Sequence, residues 1–585
     1  MVALHESVED RTVKDMAEME PKVVQDPSGA TSSVVPAWKP NSSLSIRMVC
    51  VEDGLDNIGF RKMAAFIRSI HPDTIIAYVP TGNLRSIVKT LTGKGAGDLS
   101  DRDVRIVAEF LAEGDLVCLS SMTQYSSTVH QIIAEIRQIN PRAYIVWGGI
   151  HPIIYPEDAI KHADAICTGE GEFAFETFLQ LAKDSENYFT TPGFWFRTDT
   201  GIIKNTNPPL MSKEERDLLP PLMYQDGEFI YHSHKGFTPL HVDDFLRYTG
   251  LSYNTVWTIG CPLECTFCAN TKFIEYDKGY RKLRHSSPRN IVDEIKRAVD
   301  KHPHISTVVF HDDSFLALPY KVLQEFCELW KKEVKIPFAV HGVIPNYVRE
   351  DKIALLLDAG LNRVTMGVQS GSEDILDFYK RPVPLSRVHE ATRILNKYHK
   401  YMIPMACDII LENPVETPED TRATLDLFYE MPRPFTLNVY ALRIIPNTQL
   451  EKDIEGRGFD VPSIKTSYHS AYQPTLGNIL IFALAVWKMP RRMYSVLRNK
   501  VYPVLSDQTH YPLALAIFRS AYLFKRAFDH LRFMDFSLLP GKVGYCLWKV
   551  GVIDLWKRLI MTRYQLPTDG ADRVAPGKPE TSAQI

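Results

Sequence analysis

Charge of one sign is missing from this sequence: 67 Lys and Arg stand against 70 Asp and Glu. A net charge near zero argues against a general nucleic-acid binder and leaves only a local basic patch open. No apolar run is long enough for a transmembrane helix. The Leu476–Trp487 stretch, at about 12 residues, falls well short of a bilayer's thickness. The first forty residues lack an apolar h-region and read as a disordered leader without a cleavable signal. Nine cysteines are an odd number, so a disulfide framework is not expected. The compartment should be reducing, and the chain is expected in the cytoplasm. No internal repeat or low-complexity segment stands out.

What is present is ordinary globular composition over 585 residues, enough for roughly three or four domains. From 44 to 185, short apolar runs alternate with amphipathic segments. Ile75–Val79, Leu116–Ser120 and Tyr144–Trp147 read as buried strands. Val129, Ile132, Ile133, Ile136 and Ile139 share a helical face that Asn140-Pro141 stops. Strand–helix alternation of this kind predicts an α/β fold with a doubly wound parallel sheet. Residues 186–245 read as an irregular connector broken by Pro208-Pro209 and Pro220-Pro221.

A second alternating series fills 246–450. Candidate strands are Thr255–Ile259, Thr307–Phe310, Phe338–His341, Arg363–Val368, Cys407–Leu411 and Leu437–Ile444. Helices lie between them, including Ile291–Asp300 and Lys352–Ala359, the latter capped by Gly360. Six βα units in this length predict a partial barrel rather than a full eight-fold one. Residues 451–570 read as an aromatic-rich helical cap with a basic excess, and 571–585 as a tail.

The most informative stretch is Gly260-Cys261-Pro262-Leu263-Glu264-Cys265-Thr266-Phe267-Cys268. It places three thiols within eight residues on a loop after a predicted strand. Three thiolates can hold three corners of a [4Fe-4S] cubane and leave the fourth iron open. A structural zinc site is the alternative, but it needs four protein ligands. His285, the nearest histidine, stands alone. Cys50, Cys118, Cys167, Cys327, Cys407 and Cys546 are scattered and read as small buried hydrophobes.

The Cys-x3-Cys-x2-Cys loop resembles the signature of the radical SAM superfamily, and the likeness continues over roughly 200 residues. It implies that Cys261, Cys265 and Cys268 hold the cluster and that S-adenosylmethionine (SAM) chelates the open iron. It also implies that Phe267 sits beside the adenine. His311-Asp312-Asp313 ends the predicted second strand, where similar families place acidic residues near the SAM ammonium; an acidic helix cap is the alternative. Gln369 and Ser370, in Gly367–Ser372, resemble a stretch that meets SAM, although a glycine-assisted turn reads equally from the residues. Asp408–Asp420 resembles a fifth-strand motif, with Asn413 where glycine is usual. Asn447 likewise interrupts a Pro-Gly-Thr pattern.

The first sheet resembles the cobalamin-binding module that precedes many radical SAM cores, in a doubly wound Rossmann-like arrangement. The matching pieces are Asn57–Phe60, Leu119–Thr123 (with Ser120, Ser121 and Thr123), Gly148-Gly149-Ile150-His151, and Gly169-Glu170-Gly171-Glu172. Each ends a predicted strand, where open α/β sheets bind ligands. The Asp-x-His-x-x-Gly stretch that supplies a cobalt-ligating histidine elsewhere is absent. His151 is either a ligand or a hydrogen-bonding loop residue, and a vestigial domain without cofactor is the bland alternative.

The combined resemblance implies a cobalamin-dependent enzyme that cleaves SAM to a 5′-deoxyadenosyl radical and methylates an unactivated carbon of a small or lipid-like substrate. A radical cyclase, rearrangement or oxidation enzyme with the same parts is the second reading, and a non-catalytic SAM- or cobalamin-binding regulator the third. An electron donor such as flavodoxin or ferredoxin is implied as partner, and nucleic acid is not. The basic, aromatic C-terminal region, with Arg519, Lys525, Arg526 and Arg532, reads either as a cap over the barrel mouth or as a peripheral membrane contact. His285, His311 and Tyr440 are candidate substrate-side groups.

Overall fold

In the computed structural model, residues 22–24, 38, 43–81, 99–184, 187–222, 227–461, 473–505, 511–533, 535, 539 and 541–563 are described. Most of the expected leader and all of the expected tail lie outside them.

The first sheet has ten strands: β1 (Lys22–Val24), β2 (Ile46–Glu52), β3 (Ile75–Pro80), β4 (Leu116–Ser120), β5 (Tyr144–Gly148), β6 (Ala165–Cys167), β7 (Phe194–Thr198), β8 (Gly201–Lys204), β9 (Phe229–His232) and β10 (Gly236–Pro239). Its centre is parallel in the order β6-β5-β4-β2-β3. Strands β2 and β4 are therefore neighbours from which the chain winds outward in both directions. A ligand crevice opens at the carboxyl ends of such a pair. Both faces are covered, so β2 is buried at all seven positions and its sequence is nearly continuous apolar residues. The Ser126–Ile139 helix buries Val129, Ile132, Ile133 and Ile136 and ends at Asn140, as its spacing predicts.

The stretch read as an irregular connector carries β7 to β10 instead. Strands β7 and β8 extend the sheet antiparallel beyond β6, and β9 and β10 extend it beyond β3. These strands are four or five residues long and only partly buried. Their hydrophobic patterning is correspondingly weak.

The second sheet is parallel and strictly sequential: β11 (Ser252–Thr255), β14 (Thr307–Phe310), β15 (Phe338–Val343), β16 (Leu361–Gln369), β17 (Ala406–Leu411) and β18 (Thr436–Ala441). This is a six-stranded partial barrel, open between β18 and β11. Gly360 closes the Glu350–Ala359 helix with φ +111°, as a left-handed cap requires. The expected strand Thr255–Ile259 is in fact two. Strand β11 stops at Thr255, and β12 (Thr258–Ile259) pairs antiparallel with β13 (Arg284–His285). The cause is Asp312, whose carboxylate takes the backbone N–H groups of Trp257 (3.3 Å) and Thr258 (2.6 Å) out of the ladder.

The C-terminal region is helical. The Leu476–Val486 helix is buried from Gly477 to Ala485, so its apolar run is core. Among the described residues no helix is long and apolar enough to cross a membrane. The Pro512–Arg532 helix lies along the open barrel edge. There the Leu437 N–H donates to the Tyr522 hydroxyl at 2.9 Å, that hydroxyl donates to the Leu437 carbonyl, and Arg526 Nη1 reaches the same carbonyl at 3.3 Å. These contacts occupy the exposed ladder groups of an edge strand.

Candidate functional site

The parallel centre of the first sheet and the second sheet face each other with their carboxyl ends. After β2, Asp56 accepts the Asn254 amide at 2.6 Å, and Lys62 donates to the Val256 carbonyl at 3.0 Å. After β5, the Ile154 carbonyl accepts from Asn447 at 2.9 Å. After β6, Glu170 takes Arg216 at 2.7 Å, Arg284 at 2.9 Å and the Met211 N–H at 2.8 Å. Glu170 therefore ties the first sheet to β13, the strand that braces the cysteine loop.

That loop is held on three sides. Gly260 has φ +109°, and a Cβ there would stand 2.4 Å from the Lys282 carbonyl and 2.8 Å from that of Tyr280, so glycine is required. The Cys261 N–H bonds Tyr280 at 3.0 Å, and the Thr266 N–H bonds Tyr379 at 2.9 Å. Cys265 is buried; Cys261 and Cys268 are half-buried. Burial pushes the Cys261 thiol up to about 11 and raises Cys268 as well. Without a positive partner these thiols stay protonated; bound iron would supply that charge.

Arg381, which the sequence reading missed, aims at the same loop. Its Nη1 lies 3.5 Å from Cys265 Sγ and its Nη2 donates to the Gly367 carbonyl at 2.6 Å. Among the described residues, one group brings three ligand atoms within 4.8 Å of each other, and it is His130, Asp158 and His162. Three thiols without a fourth protein ligand among the described residues suit the corners of a polynuclear cluster better than a closed four-ligand site for one ion. Of the other six cysteines, five are buried and Cys546 is exposed rather than buried as expected.

Around the loop the expected residues divide. Phe267 stands half-buried with its ring 5.0 Å from Tyr379, edge to face. Asp313 is solvent-facing and close enough to raise the Cys261 and Cys268 thiols further. Asp312 instead clamps the Trp257–Thr258 backbone. Gln369, at the end of β16, has φ +71°, a strained conformation for a non-glycine residue that clusters at functional sites. Ser370 is buried, 3.3 Å from the Thr424 hydroxyl, and accepts the Ser372 N–H at 3.1 Å. It shapes the turn from within. Asn447 has φ +62°, which explains why asparagine can replace a glycine there.

Inside the barrel, Asp408 accepts the Asn438 amide at 2.8 Å. Burial pushes its carboxyl up to about 6, held back by Asn438, Arg526 and Arg381. Tyr440 is exposed and close to Asp408. His311 lies on His341, ring centres 4.8 Å apart, while His285 is occupied by the Ser286 carbonyl at 2.8 Å.

In the first sheet, a Cβ on Gly149 (φ +88°) would stand 2.7 Å from Ser120 Oγ and 2.9 Å from Ser121 N. The loops after β4 and β5 thus touch backbone to backbone. Ser121 accepts the Trp147 indole N–H at 3.1 Å. Thr123 Oγ1 and His151 Nδ1 are buried without a hydrogen-bond partner, and a Cβ on Gly148 would meet only the Leu119 carbonyl at 4.0 Å. Unfilled polar capacity beside an open glycine face is what a large, amide-fringed macrocycle fits. His151 is 1 % exposed and 3.2 Å from Asp158, so it behaves as a loop brace. Gly169 packs against Asn207. Glu52, at the end of β2, was not anticipated. It is buried beside Asn57, and burial pushes its carboxyl up to about 8.

Residues 255–428 match the radical SAM superfamily, and residues 98–179 match the B12 binding domain. The chain thus carries a radical SAM domain. A B12-binding domain precedes its radical SAM domain, and its cofactors are a [4Fe-4S] cluster, SAM and cobalamin. An uncharacterized methyltransferase of Pyrococcus horikoshii is 22% identical over 344 residues, 58% of this chain and 68% of that protein. The anaerobic magnesium-protoporphyrin IX monomethyl ester cyclase of Cereibacter sphaeroides is 23% identical over 332 residues, 54% of this chain and 49% of that one. The fold is similar to that of the radical SAM methyltransferase TsrM of Kitasatospora setae, solved with cobalamin and a [4Fe-4S] cluster, with TM-score 0.55 and 16% identity. That match covers 72% of this chain and 76% of TsrM.

Proposed function

We propose that this enzyme transfers a methyl group to an unactivated carbon of a small or lipid-like substrate, using cobalamin and SAM. The observation that carries the reading is the facing of the two sheets. A cofactor held at the β4 and β5 ends would face the cysteine loop, and Glu170, Asn254 and Asn447 tie the two domains together there.

Cys261, Cys265 and Cys268 would hold the cluster, and Phe267, Asp313 and Gln369 would contact SAM. Asp312 and Ser370 position that pocket through the backbone. Ser120, Ser121, Thr123, Gly148 and Gly149 form the cobalamin cradle, braced by His151 and Gly169. When bound, the cluster supplies one electron to SAM and cobalamin carries the methyl group. The protein's own part is to orient and dry the site. Arg381 places positive charge beside Cys265, and Asp408, Tyr440 and Arg526 present polar groups to a substrate in the barrel.

Product analysis tests this. Anaerobically reconstituted enzyme with SAM, a reductant and substrate should yield 5′-deoxyadenosine and S-adenosylhomocysteine together. The second reading is a cyclisation, the activity named for the Cereibacter sphaeroides relative. Substrate turnover with deoxyadenosine but no S-adenosylhomocysteine would favour it and sink methyl transfer.

A further inference from the structure

The Pro512–Arg532 helix is inside out. Toward the barrel it buries Leu515, Tyr522, Asp529 and His530, three of them polar. Its outer face carries Leu513, Ile517, Phe524, Phe528 and Leu531, with Leu513 74%, Phe524 77% and Phe528 60% exposed. Ala516, Ser520, Ala521 and Ala527 fill the gaps and are exposed too. These positions recur at three- and four-residue intervals, so they form one stripe along a helix of 21 residues, roughly 30 Å long. No charged side chain interrupts it. A helix on a globular surface carries the opposite pattern, and an apolar face of this extent marks an interaction site.

One margin of the stripe is basic. Lys525 and Arg532 flank it on the helical projection, while Arg519 and Arg526 turn toward the barrel between Leu515 and His530. The helix's one acid, Asp529, is buried and paired with Lys525 at 2.8 Å. No acid faces outward beside Lys525 and Arg532, so an anionic lipid surface would complement this margin while covering the apolar stripe. The inner flank of the same helix lines, with Asn438, Tyr440 and Phe482, a cavity of about 200 Å³ at the barrel edge.

We propose that the outer face of the Pro512–Arg532 helix is a membrane-docking surface that lies in the headgroup layer of an anionic bilayer, with the barrel-edge cavity opening beside it. The docking stands apart from the reaction proposed above. It implies an amphiphilic substrate drawn from the membrane, because the cavity on the inner flank of the docked helix offers Arg519 and Arg526 to a polar or anionic head.

The test is co-sedimentation of the full chain with phosphatidylcholine vesicles, with and without phosphatidylglycerol, beside the double variant Phe524→Glu/Phe528→Glu. Both phenylalanines are exposed, so the variant should keep its melting temperature, and Phe524→Leu/Phe528→Leu serves as a second variant that retains the apolar face. The expected result is binding that requires phosphatidylglycerol, weakens with added salt, survives in the leucine variant and falls about ten-fold or more in the glutamate variant. Wild-type protein that does not sediment, or a glutamate variant that sediments equally, overturns the proposal. So does a wild-type dimer that the glutamate variant converts to monomer without any vesicle binding; that would assign the face to a second copy.

Discussion

Arg381 and Cys265, 116 positions apart in sequence, meet at 3.5 Å between a guanidinium nitrogen and the thiol sulfur. The same guanidinium is anchored on the Gly367 carbonyl, so its charge cannot swing away. A fixed positive charge beside a cluster ligand favours the reduced, more negative cluster. Arg381→Gln should leave iron content intact and lower the cluster's midpoint potential by tens of millivolts, where 59 mV is tenfold for one electron. Arg381→Lys should recover part of the shift. An EPR-monitored redox titration reads it, and an unchanged potential would deny Arg381 this role.

Glu170 joins buried Arg216 and half-buried Arg284 across the junction of the domains. Replacing it by Gln leaves both guanidinium groups short of a counter-charge, at a cost of about 3 kcal/mol. Thermal unfolding of Glu170→Gln should shift down, and the two domains should lose their common transition. Arg284→Met removes one of the surplus charges, so combined with Glu170→Gln it should cost less than the sum of the two single changes.

Glu52 gives the first domain a pH dependence of stability. Its carboxyl titrates at about 8 in the folded chain against 4.5 for the free group, so between these values the folded state holds the extra proton. Stability is fully present below the unfolded value and falls as pH rises through the window, by at most about 1.4 kcal/mol per pH unit. Denaturant titrations at pH 5.5 and 8 should differ in that direction for the wild type. In Glu52→Gln the difference should shrink, and the same slope in both proteins would refute the assignment.

Strands β3, β4 and β5 of the first sheet and β14 to β18 of the second were legible because a strand buried on two faces is a short apolar run, whatever it packs against. The cysteine loop was legible because its spacing is local. Asn447 departs from a glycine pattern yet keeps the left-handed backbone, since asparagine tolerates it. Arg381 and Arg526 were opaque as partners: each acts on residues far along the chain, and nothing near them in sequence marks the contact. Asp312 and Glu170 carried the right residue type for a ligand, but their carboxylates meet backbone N–H groups and arginines. Strands β7 to β10 were hidden by their shortness. The Pro512–Arg532 helix has a readable apolar face; periodicity locates such a face without saying whether protein or solvent lies against it.

The central claim is that Cys261, Cys265 and Cys268 hold a [4Fe-4S] cluster that cleaves SAM. The most direct measurement reconstitutes the full chain without oxygen, counts iron, and follows 5′-deoxyadenosine after SAM and a reductant are added, beside Cys265→Ala and the core control Cys327→Ala. The account predicts about four irons per chain and deoxyadenosine in the wild type and in Cys327→Ala, and loss of both in Cys265→Ala. Well-folded wild-type protein that takes up no cluster and leaves SAM intact would contradict it.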